Sequence, residues 1–292
     1  MAFGHSAILA LVLSGAGMIN GCSAESQLPV DTLVASERAF AALSIAKDTR
    51  TAFLTFLDDS AVIFRPHPVN GKEWISRQPS RPSVLAWEPL FAECSAGGDL
   101  GFTSGPWRFS TSSQAKEPVA FGNFVSVWGR KPRTGWKVLL DVGTSNPKPD
   151  SDAAQLRLGP LSLSKQGADR QRGRESFMDA ERQFGRAASD SGLAQAYRAL
   201  AADDCRFYRE GHFPAVGFSE ARAILGEITR APLFTPLAMH ESATGDLAYV
   251  YGRYEVPGTV PGESGYYLRI WKILPAGSAA LVLDLLSPLP GQ

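Results

Sequence analysis

The chain has 292 residues, with 29 Lys and Arg against 29 Asp and Glu, so its formal net charge is +0. A length beyond the usual single domain of roughly 100–150 residues points to two domains. The balanced charge, with no long run of one sign, argues against a protein that tracks nucleic-acid phosphates, and a 44% hydrophobic content is unlike a disordered chain.

Residues 7–18 are apolar or small, the length of a signal-peptide core and too short for the roughly 20 helical residues that span a bilayer. Ile19-Asn20-Gly21-Cys22-Ser23 follows. Small residues ahead of a Cys resemble a bacterial lipobox. That resemblance implies a signal segment over 1–22 that is removed as far as the Cys, a mature chain beginning at a lipidated Cys22 and, with Ser23 after it, an outer-membrane lipoprotein facing the periplasm. An ordinary secretory signal cut near Ala24 is the alternative, giving a secreted chain. Contact with a membrane is expected only through the lipid. Cys94 and Cys205 remain, one in each half, with no spacing typical of a disulfide framework or a zinc site; two buried free thiols are expected.

The first domain is expected over residues 31–146. Leu33, Phe40 and Leu43 fall on one face of a helix over 33–47. Phe53, Phe56 and Leu57 mark a short second helix, residues 61–65 a strand, and a third helix follows Gly71 from Lys72-Glu73. Strand-like runs then occupy 84–94, 100–109, 119–130 and 136–144, with turns at Gly98 and Gly135. Residues 147–174, rich in Pro, Ser, Asp, Lys and Arg, read as a linker, in which "LRLGPLSL" is a candidate edge strand. The same order recurs over 175–290, with Phe177 and Phe184 on its first helix and Ser219 as a candidate N-cap for its third.

The two halves are copies. "GDLGFTSGPWRF" begins at Gly98 and "GDLAYVYGRYEV" at Gly245, an offset of 147 residues. Glu37-Arg38-x-Phe40 matches Glu181-Arg182-x-Phe184 at an offset of 144, as do Phe53 with Tyr197 and Phe64-Arg65 with Tyr208-Arg209. Gly122-x-Phe124, Trp128 and Asp141 match Gly265-x-Tyr267, Trp271 and Asp284 at 143. So small a drift marks a tandem duplication with minor loop changes.

Helix, helix, strand, helix and a four-strand meander make an α+β plan. With "LDDSAVIFRPHPVNG", "GDLGFTSGPW" and "GWKVLLDVG", the chain resembles the SnoaL-like, ketosteroid-isomerase-like branch of the nuclear transport factor 2-like superfamily, closely over 33–145 and more loosely over 177–288. The resemblance implies two tandem cones, each a curved, mostly antiparallel sheet wrapped around about three helices, with a pocket at the open end. It also implies cones that pair through their sheets, here as an intramolecular pseudo-dimer. Some members catalyse proton transfers on bound hydrophobic molecules; many only bind or scaffold.

The isomerase base would fall near Arg65, its oxyanion-stabilising tyrosine near Phe40, and its acidic partner within Phe124–Trp128, where none stands. Enolisation chemistry is therefore not implied. What recurs is a basic and an acidic residue: Arg65 with Asp141, and Arg209 with Asp284. Each Arg could hold a ligand carboxylate through its planar fork, and each Asp could act as a base if burial raised its pKa. Alternatively each pair is an internal salt bridge, the reading favoured for the first copy. The second copy, with Tyr208, Glu210 and His212 beside Arg209, offers the more polar rim and is the first place to seek a binding site. His67 lies in the loop equivalent to that of His212. No metal-ligand spacing and no cofactor fingerprint is present. The expectation is a non-catalytic binding or accessory protein for a small apolar or acidic molecule, the alternative being a proton-transfer isomerase or hydrolase with Asp141 or Asp284 as base.

Overall fold

The computed structural model describes Met1 and residues 28–150, 155–160, 169–226, 230–258 and 263–290. Cys22 and the segment before it lie outside the described residues. Among these residues no helix is long and apolar enough to cross a membrane.

Helix α1 (Pro29–Ala46) opens on a proline, whose missing N–H is no loss in a first turn. Asp48 accepts a hydrogen bond from the Thr51 N–H at 2.7 Å and so caps α2 (Thr49–Phe56); Asn70 caps α3 (Gly71–Arg77) through the Glu73 N–H at 2.9 Å. Between α2 and α3 run β1 (Leu57–Phe64) and β2 (Pro68–Asn70). The run expected over 84–94 divides into β3 (Val84–Trp87) and β4 (Phe91–Cys94). Pro89 has no N–H to give the ladder there, and the bent backbone comes so close to β5 (Leu100–Ser110) that a side chain on Gly105 would meet the Glu88 carbonyl at 2.0 Å. β6 (Ala120–Lys131) and β7 (Gly135–Asn146) complete the meander.

The candidate edge strand does form: β8 (Arg157–Leu158) pairs with β4 in parallel. The second copy follows with α4 (Arg170–Ser191), α5 (Leu193–Leu200), β9 (Ala201–Tyr208), β10 (Ala215–Val216), α6 (Gly217–Gly226), β11 (Leu233–Glu241), β12 (Leu247–Val256), β13 (Glu263–Ile273) and β14 (Ala279–Pro288). Two local expectations change. Asp169 caps α4 through the Gln171 and Arg172 N–H groups, so the helix begins inside the segment whose composition reads as linker. Ser219 does not cap α6; it lies within the first turn, where Glu220 reaches back to the Val216 N–H at 2.9 Å.

The strand order is β2-β1-β7-β6-β5-β4-β8 in one sheet and β10-β9-β14-β13-β12-β11 in the other. Both follow the same plan, a parallel pair (β1 with β7, β9 with β14) beside an antiparallel meander. Each sheet is covered on both faces. One face packs on its own helices, through Phe40, Phe53, Ile63 and Trp128 in the first cone and Phe184, Tyr197, Phe207 and Trp271 in the second. The other faces meet each other, with Phe102, Val125, Val127 and Leu140 against Tyr249, Leu268, Ile270 and Leu283. This explains why β6 and β13 read as near-continuous apolar runs instead of alternating. Both cysteines are free thiols; Cys205 is buried and Cys94, expected to be buried, is only half-buried at the sheet edge.

Candidate functional site

β6 and β7 of the first cone correspond to β13 and β14 of the second, and one side chain on them decides how each cone is filled. In the second cone it is Arg269, wholly buried on β13. Its Nε donates to Asp284 Oδ1 at 2.8 Å and its Nη1 to Glu181 Oε1 at 2.7 Å. Its guanidinium carbon lies 3.9 Å from the ring centres of both Phe184 and Phe234 and 4.5 Å from that of Tyr267. Arg209 and Tyr197 close the other side, donating to Asp284 Oδ2 at 2.6 and 2.7 Å. Burial pushes the Asp284 carboxyl up, but Arg209 and Arg269 outweigh it and hold it below the ordinary aspartate value. The interior that a ligand would need is occupied by the protein's own arginine.

The first cone has Ser126 where the second has Arg269, and Phe53, Phe124 and Trp87 where the second has Tyr197, Tyr267 and Phe234. The registers agree: Ser126 faces Asp141 across β6 and β7 as Arg269 faces Asp284. The first cone, which lacks the arginine, has a cavity of about 290 Å³. Its wall is largely aromatic, from Phe53, Trp87, Trp107, Phe109 and Phe124, and its polar groups include Arg65, Asp141 and Thr144. This is close to the lower end of ligand-pocket sizes, roughly 300 Å³, with the usual composition of apolar walls and a few polar groups.

Asp141 and Arg65 both line this cavity without forming the internal salt bridge favoured from sequence. Asp141 Oδ2 accepts from Ser126 Oγ at 2.9 Å. The Arg65 guanidinium donates to the Phe64 carbonyl at 2.7 Å and sits 5.6 Å from the Trp74 ring centre; among the described residues no carboxylate is within ion-pair distance of it. Burial pushes the Asp141 carboxyl up, and the more distant Arg65 charge and the Ser126 bond offset this only in part. Thr144 Oγ1, on the same wall, is buried with no hydrogen-bond partner.

Beneath the floor, Glu37 accepts from Trp87 Nε1 at 2.6 Å, Thr103 Oγ1 at 2.6 Å and Trp128 Nε1 at 2.9 Å. Its counterpart Glu181 accepts from Arg269, Tyr267 and Trp271. Glu37 thus lacks the cation that Glu181 has, and burial lifts its pKa to about 7 against the pull of those three donors.

The second-copy candidates are placed differently from the expectation. Arg209 and Asp284 are consumed by the buried network, and Tyr208 points to the opposite sheet, where its hydroxyl donates to Ser104 Oγ at 2.7 Å. Tyr254 is buried in the second core. Arg269 fills this cone, which is why the polar rim read from the sequence does not lead into it. Glu210 does serve the first cone: its Oε2 accepts from the N–H of Ser145, a residue on the cavity wall, at 3.0 Å. His67 is exposed, its Nδ1 2.9 Å from the Tyr266 hydroxyl, and His212 sits in the loop after β9, its N–H bonded to the Arg209 carbonyl at 3.2 Å. Among the described residues no three His, Cys, Asp or Glu side chains are grouped to hold a metal. Sequence reasoning missed Ser126, Arg269, Glu37 and Glu181 as determinants of the site. The signal was available, because an offset of 143 sets Ser126 against Arg269, a charge flanked by Tyr267, Leu268, Ile270 and Trp271.

No protein-family model matches the chain, and no curated protein matches it. Solved structures similar to part of it include an NTF2-like protein of unknown function from Shewanella oneidensis, at 13% identity over 39% of this chain and 97% of that one, with a TM-score of 0.33. An NTF2-like protein from Cytophaga hutchinsonii gives 17% identity over 40% of this chain and 98% of that one, with a TM-score of 0.33. A protein of unknown function with a cystatin-like fold from Nostoc punctiforme gives 17% identity over 40% and 92%, also at 0.33. No activity is transferred across likenesses this distant. The fold rests on the chain's own strand order and the site on its own residues.

Proposed function

We propose that this chain is an exported, lipid-anchored binding protein whose first cone takes one small, largely apolar molecule, while its second cone is the structural half of an intramolecular pseudo-dimer. The observation that carries this reading is the aromatic cavity of about 290 Å³ in the first cone, against an interior filled by Arg269 in the second. Titration calorimetry with 2-naphthol tests it. Saturable 1:1 binding is expected, lost in Ala120→Phe, which places a ring at the half-buried edge of the cavity. Absence of binding, or binding undiminished in that variant, overturns the reading. Export and anchoring are supported by the apolar run over 7–18 and by Cys22 after small residues. Cell fractionation and intact mass test them: a mature chain starting beyond Cys22 removes the anchor, and retention of Met1 removes export.

A second reading is proton-transfer catalysis with Asp141 as base. It is favoured by one observation, a cavity-facing carboxyl whose pKa is raised by burial. Turnover of any bound carbon acid that is abolished by Asp141→Asn, with binding retained, would establish it over simple binding.

A further inference from the structure

The second cone shows what the floor of the first is shaped to hold. In it, the Arg269 guanidinium bonds Asp284 and rests against Phe184, Phe234 and Tyr267. At the equivalent places the first cone has Asp141, Phe40, Trp87 and Phe124, with Ser126 in place of the arginine. Asp141, Trp87 and Phe124 line the open cavity. The carboxylate and two of the three rings that seat a guanidinium in one copy therefore stand unoccupied by any such group in the other. Resting on the binding role proposed above, we infer that the first cone takes an organic cation, an amidinium or protonated amine on an aromatic or aliphatic body, whose head meets Asp141 and whose body lies along Trp87 and Phe124.

Three further observations support this ligand class. Asp284 carries two arginines at once, Arg209 on one oxygen and Arg269 on the other. Arg65, the counterpart of Arg209, therefore leaves a place for a second cation on Asp141 even if it turns inward. The contrast in carboxyl behaviour agrees: Asp284 is held low by its two cations, while Asp141, with none in contact, is pushed up by burial. Thr144 Oγ1, buried and without a partner on the same wall, can accept an N–H that Asp141 does not. Ring faces attract a desolvated cation and repel an anion, so the walls discriminate in the same sense as the floor.

Calorimetric titration of the parent protein at pH 8 with benzamidine, benzamide and benzoate tests the inference, because the three share one shape and differ in charge. Benzamidine is expected to bind at least tenfold more tightly than benzamide, and benzoate more weakly than either. In Asp141→Asn the two leading probes should become equal, and in Arg65→Ala benzamidine should gain affinity. Benzoate as the tightest probe, benzamide equal to benzamidine, or a cation preference that survives Asp141→Asn overturns the inference. The ranking in the parent protein decides alone should the variant not fold. Binding of 2-naphthol without any cation preference removes this inference and leaves the binding role standing; failure of every probe removes both.

Discussion

Asp99 and Asp246 hold each other's repeat. Asp99 Oδ2 accepts from the Ala243 N–H of the second copy at 2.7 Å, and Asp246 Oδ2 accepts from the Ala96 N–H of the first at 2.8 Å. Each aspartate also ties down its own turn, through Ser95 and Ser242 respectively, both at 2.9 Å. The duplicated Gly-Asp-Leu is thus one of the points where the two cones interlock. Glycine permits the turn, at φ of +63° for Gly98 and +65° for Gly245, and the aspartate reaches across.

Replacing either aspartate should loosen the interlock. Each of Asp99→Ala and Asp246→Ala is expected to cost about 0.5–1.5 kcal/mol, the net worth of a hydrogen bond whose N–H stays open to water, since Ala243 and Ala96 are exposed. Asp246 should cost more, since it is buried and also accepts from Thr244. Urea denaturation midpoints check the ranking; a neutral Asp246→Ala would contradict it.

The two equivalent arginines should behave in opposite ways. Arg209→Ala leaves Asp284 with one cation fewer in a sealed interior and should cost about 3–5 kcal/mol. Arg65→Ala removes a side chain with no ion pair and should stay within about 0.5 kcal/mol of the parent. Thermal and urea unfolding of the two variants side by side measures the difference.

Glu37 predicts how stability changes with pH. In the unfolded chain it loses its proton near the ordinary value of 4.5, whereas the folded protein keeps it until about 7. Between those values the folded state binds the extra proton, so its contribution is complete below pH 4.5 and is eroded as pH rises towards 7. A displacement of that size corresponds to about 3 kcal/mol. Asp141, also raised, adds to the slope with the same sign. Glu37→Gln should remove the Glu37 part of the slope, as seen by urea unfolding at a series of pH values. An unchanged slope would place the titration elsewhere.

The filling of the second cone should be transferable. A quadruple variant, Ser126→Arg with Phe53→Tyr, Trp87→Phe and Phe124→Tyr, gives the first cone the second cone's residues at these four positions around Asp141 and Glu37. It is expected to lose binding of 2-naphthol and to bring the Asp141 carboxyl below its ordinary value, as carbon-detected NMR titration would record. Undiminished binding would mean that Ser126 is not what keeps the cavity open.

The helices, most strands and the duplication were legible because they depend on local features: the spacing of Leu33 and Phe40, the turn glycines, and a nearly constant offset. The break between β3 and β4 was marked in the sequence by Pro89, whereas the close backbone approach at Gly105 that accompanies it leaves no trace in periodicity. The site was legible only as a set of residue types. Whether Arg65 pairs with Asp141 depends on what stands opposite on the neighbouring strand, serine in one copy and arginine in the other, and that relation appears only when β6 and β7 are laid in register. Recurrence of a pair at a fixed offset therefore did not imply the same contact twice.

The apolar face that joins the two sheets carries a consequence for a chain cut short. Val125, Val127 and Leu140 on one sheet meet Leu268, Ile270 and Leu283 on the other, the same face in both copies. A lone first cone, ended after Asn146, would lay this face bare and find its best cover in a second molecule of itself. A homodimer of that cone would bury the face by the same pairing that joins the two copies here. A premature stop in the second half of the gene would lay the same face bare, so the surviving cone is expected to associate with its own kind instead of staying monomeric.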